Sequence, residues 1–276
     1  HWQLYASDDG SSDDTPAILA AFQATYPMGH VFLQAGPRAG FSANFMSLLC
    51  NPDLDVDYFA FADQDDIWQP EKLETAINWL RQQPTEIPAL YCGTSDLINN
   101  IGQNLGSSPA TRKPPGIRNA LVENIAGGNT MVLNRAARTL MLRAYSPDLP
   151  WYDWWVYLIV SACNGRVFFD RTAYLLYRQH GQNVHGANSV IWGTWRKLLG
   201  LYQGTYCRWI TANLHSLERV QNSWSLEAKK AIDLFLHART ARNSLMRLYF
   251  LIKSKVYRQS FIDHGGLIIA TLIRKI

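Results

Sequence analysis

Two runs of carboxylates dominate the chemistry this sequence can offer: Asp8-Asp9 with Asp13-Asp14 inside Ser7 to Thr15, and Asp63-Gln64-Asp65-Asp66. Like charges at such spacing raise one another's pKa or require a cation. A divalent ion supplies that charge, and a donor set made of oxygen suits Mg2+ or Mn2+. Aspartates in a DxD spacing leave coordination positions free, which Mg2+ typically fills with phosphate oxygens, so a phosphate-bearing substrate follows as the expectation. For Asp13 and Asp14, directly before Thr15-Pro16, a solvated loop and helix cap is the plainer reading. Asp63, Asp65 and Asp66 are wedged between the apolar run Tyr58 to Ala62 and Ile67-Trp68, where a mere turn seldom spends three carboxylates.

The elements around these runs explain why they should meet. Trp2 to Ser7 reads as a strand, and Thr15-Pro16 opens a helix, Thr as cap and Pro where its missing N–H costs nothing. Val31 to Gln34 reads as a strand, Phe41 to Leu49 as a helix, Tyr58 to Ala62 as a buried strand, Pro70 to Gln83 as a helix and Leu90 to Cys92 as a strand. Such alternation predicts an α/β fold with a mostly parallel sheet and helices on both faces. Ligands in such sheets bind at the carboxyl ends of strands, and each acidic run directly follows a strand, so both should face one crevice. From about Leu97 the pattern loosens: Asn99-Asn100-Ile101-Gly102 signals a turn and Ser107 to Gly116 a loop. A strand over Thr130 to Leu133, a helix over Arg135 to Tyr145, the aromatic cluster Trp151-Tyr152-Asp153-Trp154-Trp155 and β-like runs Val167 to Phe169 and Tyr174 to Tyr177 come next. After Gly186 the chain reads as helical to its end, Ser225 capping a long helix whose apolar set runs from Leu226 to Ile252.

Of 276 residues, 47% are hydrophobic and 17% charged, which excludes a disordered chain and leaves material for a large core. Cys50, Cys92, Cys163 and Cys207 lie far apart without a CxxC pair, which fits reduced thiols better than a zinc site or a disulfide scaffold. No apolar run approaches the ~20 residues a spanning helix needs. Through His180 the chain carries 12 Lys+Arg against 18 Asp+Glu, and from Gly181 onward 14 against 4. The acidic front and basic rear should do different jobs, and the acidic front would repel a phosphate backbone, which argues against nucleic acid.

A strand ending in DDGSSDDT, followed some fifty residues on by DQDDIW and PEKL, resembles the nucleotide-sugar-dependent inverting glycosyltransferases of family two. GFSANF at Gly40 to Phe45, GGNTMVLNR at Gly127 to Arg135, WYDWW at Trp151 to Trp155 and YRQHGQNVHG at Tyr177 to Gly186 are similar to its rhamnosyltransferase-like bacterial subgroup, which builds surface polysaccharides. The resemblance covers roughly residues 1 to 188. It implies a GT-A fold, with a nucleotide-sugar-binding half at 1–96 and an acceptor-binding half at 97–188, then a basic helical region at 189–276.

By this resemblance Asp9, with Asp8 beside it, matches the aspartate that reads the nucleotide, and Asp63 and Asp65 match the DxD pair. Asp65 is then the direct ligand of Mg2+ or Mn2+, with Asp63 near ribose or metal. Asp153 falls where the family places its catalytic base; the neighbouring tryptophans would raise its pKa toward the useful range. A helix cap in an aromatic segment is the alternative for Asp153. His180 would be a further metal or diphosphate contact or else a hydrogen-bonded loop histidine, and Arg178 would meet the diphosphate or else a carboxylate. The family pattern begins with a strand and helix that precede the DDGS strand, so either those residues lie before the sequence as given or the nucleotide pocket lacks them.

The implied partners are a nucleotide-diphosphate sugar, best matched by dTDP-L-rhamnose, and a saccharide or lipid-linked saccharide acceptor, in the cytoplasm or peripheral on the inner face of a bacterial inner membrane. For the basic tail, contact with anionic lipid stands beside a packed subdomain or a self-association surface that would make a homo-oligomer. A non-catalytic nucleotide-sugar or glycan-binding module and a metal-dependent phosphohydrolase are the rival functions.

Overall fold

The computed structural model describes residues 1–109, 111–147, 149–180 and 204–276. The expected start of the C-terminal helices and the last six residues of the YRQHGQNVHG run lie outside them. The chain runs β1 (Leu4–Asp8), α1 (Thr15–Ala24), β2 (Val31–Ala35), α2 (Phe41–Leu49), β3 (Tyr58–Ala60), β4 (Ile67–Trp68), α3 (Lys72–Arg81) and β5 (Ala89–Gly93). It continues through β6 (Asp96–Ile98), β7 (Asn104–Ser107), α4 (Ile117–Ala120), β8 (Val132–Asn134), α5 (Arg135–Ala144), α6 (Tyr152–Ala162), β9 (Arg166–Asp170) and β10 (Leu175–Arg178). Four helices follow the undescribed stretch: α7 (Thr205–Glu218), α8 (Leu226–Thr240), α9 (Ser244–Ser254) and α10 (Phe261–Leu272).

The α/β expectation holds, with sheets that are mixed in direction. Parallel β1–β2 stands alone, a second sheet runs β3-β8-β5-β9, and a third runs β4-β10-β6-β7. β8 is antiparallel to both neighbours, while β5–β9 and β6–β10 are parallel. The turn read at Asn99 to Gly102 closes the β6–β7 hairpin, Asn99 N–H donating to Gln103 O at 2.9 Å. Two short elements the periodicity missed, β4 and β6, pair with β10 and lack the length for an alternating pattern to show.

Strand periodicity divides the second sheet between two helix layers. Ala89, Tyr91 and Val132 pack with Ala76 and Leu80 of α3 on one face. Leu90, Cys92 and Leu133 turn to the other face, toward α5 and α6. Helix α6 is buried on almost all sides, from Trp154 and Trp155 to Val160, which explains its unbroken apolar sequence. Asn134 joins the layers: its Oδ1 caps α5 by accepting the Ala137 N–H and also accepts the Ala89 N–H at 2.9 Å, while Nδ2 donates to Ile87 O at 2.8 Å. The same apolar cluster takes in Ile210, Leu214, Phe235 and Leu267, so α7 to α10 share one core with α6.

The long helix read from Leu226 to Ile252 is instead two helices. Ala241 leaves helical conformation after α8, and Asn243 caps α9 by accepting the Leu245 N–H at 2.8 Å. An Asx cap competes with helix continuation, and periodicity alone cannot register that competition. Leu226, Leu245 and Ile252 of the apolar set point outward, at 85%, 73% and 64% exposure.

Candidate functional site

The first carboxylate pair is held by the backbone turns it caps. Asp9 accepts the Arg38 N–H at 2.6 Å and the Gly40 N–H at 3.0 Å, tying the end of β1 to the loop after β2. Gly36 makes this approach possible: a Cβ there would stand 2.6 Å from Asp9 Oδ1 and 2.4 Å from Asn44 Oδ1. Asp8 accepts the Ser11 hydroxyl and N–H, and the hydroxyl above all holds its carboxyl below the usual range. Asp13 accepts the Thr15 N–H at 3.0 Å at the start of α1, as the capping reading expects, and Asp14 is the N-cap residue without a side-chain bond.

The second run follows β3 and divides its work. Asp66 accepts Asn129 Nδ2 at 2.5 Å and the Arg178 N–H at 3.1 Å, pinning the loop to the Gly127-Gly128-Asn129 turn and to β10. Behind it, Lys72 is buried with its ammonium 3.6 Å from the Trp68 ring centre, and burial pushes its pKa down to about 8. Asp65 Oδ2 lies 2.8 Å from His180 Nε2. Asp63 is half-buried, and its pKa is pushed up to about 6, first by desolvation and then by the charges of Asp66, Asp65 and Asp153.

Asp153 stands in the first turn of α6, whose N-cap is Trp151, so it is not the cap of that helix. Its carboxylate accepts the Trp154 N–H at 2.7 Å. Desolvation pushes its pKa up to about 6, against hydrogen bonds from Trp154, the Asn124 side chain and the Gly128 N–H that favour the charged form. Gly128 leaves room for Tyr152 beside it: a Cβ there would stand 2.0 Å from Tyr152 Oη. Asn124 and the Gly128 N–H escaped the sequence reading, since nothing local to residues 124–128 signals a partner on α6.

Asp8, Asp9, Asp63, Asp65, His180 and Asp153 all line one cleft of about 3300 Å³ between the sheets and the C-terminal helices. Arg178 does not line it. Its Nε donates to Asp65 O at 3.0 Å, and Nη1 donates to Asn99 O at 3.2 Å and Asn100 O at 3.0 Å. The guanidinium ties the Asp65 loop to the β6–β7 turn, work to which a fork of several donors is suited. Among the described residues no three His, Cys, Asp or Glu side chains are grouped closely enough to hold a metal by themselves. What the site offers is the Asp65–His180 pair with Asp63 beside it. One or two carboxylates completed by substrate phosphate oxygens is how Mg2+ is commonly bound, so these residues fit a divalent ion arriving with a diphosphate.

The family model described as glycosyl transferase family 2 matches residues 1–140. The dTDP-rhamnosyl transferase RfbG of Shigella flexneri is 27% identical over 215 residues, covering 74% of this chain and 72% of that protein. Among solved structures, the mannosyltransferase PcManGT from Pyrobaculum calidifontis, in complex with GDP-Man and Mn2+, aligns at a TM-score of 0.48 and 16% identity, covering 99% of this chain and 77% of that chain. TarS residues 1–349 of S. aureus aligns at 0.47 and 11% identity, covering 91% and 71%. Likenesses of this degree carry no residue-by-residue correspondence.

Proposed function

The chain belongs to glycosyl transferase family 2, a glycosyltransferase of GT-A fold, and from that premise we propose that it is an inverting enzyme that moves L-rhamnose from dTDP-rhamnose to a saccharide acceptor of a bacterial surface polysaccharide. The observation that carries the mechanism is the opposition of two acidic groups in one cleft: Asp153 on α6, desolvated and raised to about 6, and the Asp63 to Asp65 run with His180 after β3. Asp153 and Asp63 are near enough that the charge of Asp153 helps raise Asp63, which puts the base candidate and the acidic run in one site. The choice of rhamnose is supported by the Shigella flexneri relative, a dTDP-rhamnosyl transferase.

In this reading Asp8 and Asp9 shape the loops that take the nucleoside, and Asp63, Asp65 and His180 face its diphosphate. Asp65 and His180, with Asp63 close by, would hold Mg2+ or Mn2+, which when bound supplies positive charge to the departing diphosphate. The acceptor hydroxyl gives its proton to the Asp153 carboxylate while its oxygen attacks the anomeric carbon opposite the leaving nucleoside diphosphate, so the configuration inverts. A pKa near 6 keeps Asp153 ionised at neutral pH and more basic than a free aspartate. The Asn124 and Gly128 donors orient its carboxylate. In this reading the enzyme works in the cytoplasm, where the nucleotide-sugar donor is made.

Family membership decides for sugar transfer over the phosphohydrolase and the non-catalytic module. The test is a donor panel of dTDP-rhamnose, GDP-mannose and UDP-hexoses, read by thermal shift with and without Mn2+ and by nucleotide release with saccharide acceptors. Stabilisation by dTDP-rhamnose above the others is expected; preference for another donor overturns the sugar assignment.

A further inference from the structure

We infer that the outward faces of α9 and α10 form a docking surface for an anionic lipid membrane. On α9 the exposed large apolar side chains are Leu245, Met246, Tyr249 and Ile252, at 73%, 44%, 50% and 64% exposure. Their spacing places them on one stripe of the helix. On and after α10 the exposed side chains are Phe261, Ile262, Ile269 and Ile273, at 82%, 87%, 61% and 56%. Single exposed apolar residues are ordinary, but runs of them on two adjoining helices form a patch that wants a partner.

The patch is held in place by its neighbours. Arg247 is buried between the helices and donates to Thr271 O at 3.2 Å and Leu272 O at 2.7 Å, while Arg274 donates to Arg242 O at 2.8 Å. Structure also sorts the cations of the tail. Arg239 bonds Thr211 Oγ1 at 2.6 Å, Arg247 is internal, and Arg258 lies 3.6 Å from Glu123. Arg242, Lys253, Lys255 and Arg274 remain exposed around the apolar stripes. Between Arg242 and the end of the sequence Asp263 is the single acidic residue.

This combination selects the partner. An apolar stripe edged by cations is the pattern of a helix lying in the interface of an anionic bilayer, each cation adding attraction. A second copy of the same surface would set cations against cations, which like-charge repulsion opposes. Phe261, Ile262 and Leu267 of α10 also line the cleft that holds Asp153, so docking brings the acceptor side of the cleft against the lipid. The inference goes beyond the transfer reaction and needs neither donor nor metal, so its failure leaves the catalytic proposal intact, and the reverse.

Co-sedimentation of the full chain with vesicles tests it. Binding to phosphatidylglycerol-rich vesicles at low salt, falling as salt rises and weak on pure phosphatidylcholine, is expected. The triple change Arg242→Gln, Lys253→Gln and Lys255→Gln should lower partitioning roughly 100-fold, from about fivefold per cation. Leu245→Glu with Ile252→Glu should abolish it with an unchanged melting temperature, because both side chains are exposed. No binding to the anionic vesicles, equal binding to both lipids, or a lipid-free dimer that the Leu245→Glu, Ile252→Glu pair dissociates would each overturn the proposal.

Discussion

His180 Nε2 meets Asp65 Oδ2 at 2.8 Å, joining the second residue beyond β10 to the loop after β3. That contact gathers into one place two side chains the sequence keeps far apart. If a divalent ion and the donor diphosphate bind there, Asp65→Ala and His180→Ala should each weaken metal-dependent dTDP binding at least ~10-fold in calorimetry. Unchanged affinity in both variants would remove the pair from the metal site.

Asp153→Asn keeps the size of the side chain but cannot take the acceptor's proton. Transfer should fall ~10²–10⁴-fold while dTDP-rhamnose affinity is unaltered. Near-normal turnover would show that another group is the base.

The raised pKa of Asp153, about 6, sets two pH dependences. The transfer rate should fall as pH drops below about 6, since the base becomes protonated. For stability the sign is opposite: the folded state favours the neutral acid, so this group's contribution is fully present below the unfolded value near 4 and is lost as pH rises through about 6. Asp153→Asn should therefore melt higher than the parent at pH 8 and no higher at pH 4. Equal melting temperatures at both pH values would mean that Asp153 is not desolvated in the folded protein.

Of the adjacent Gly127 and Gly128, only the second should be intolerant of alanine. A Cβ on Gly128 would meet Tyr152 Oη at 2.0 Å, whereas on Gly127 the nearest atom is Asn129 Oδ1 at 3.2 Å. Gly128→Ala should cost about 1–3 kcal/mol by thermal or urea unfolding and cut transfer, because Tyr152 and the Asp153 contact must shift. Gly127→Ala should stay within ~1 kcal/mol of the parent. Similar effects at both positions would contradict the packing.

Arg178 separates a clamp from a diphosphate contact. Lysine keeps the charge but cannot span the carbonyls of Asp65, Asn99 and Asn100, so Arg178→Lys should lower the melting temperature as Arg178→Ala does. If instead the lysine variant melts normally and loses only donor affinity, the guanidinium serves the diphosphate.

Much of the frame could be read without coordinates. Pro16, the alternating runs through Leu90 to Cys92 and the Asn99 to Gly102 turn signal act locally, through φ restriction, side-chain period and turn chemistry, so they survive as α1, as β1, β2, β3 and β5, and as the turn between β6 and β7. The break before Asn243 is local too, but a cap competes with an apolar pattern that continues past it, and the pattern hid it.

The sequence by itself determined which chemistry is available: acidic runs at strand ends, an aspartate among tryptophans, an acidic front and a basic rear. Residue type and order fix those properties. Tertiary structure alone decided how the carboxylates divide their work, with Asp9 and Asp66 bonded to loops, Asp65 facing His180, and Asp63 and Asp153 raised by burial in one cleft. It also decided that Arg178 Nε and Nη1 meet the carbonyls of Asp65, Asn99 and Asn100 and that Leu245 and Ile252 face outward. Hydrogen-bond partners and desolvation depend on distances between residues far apart in the chain, and one-dimensional spacing carries no measure of those distances.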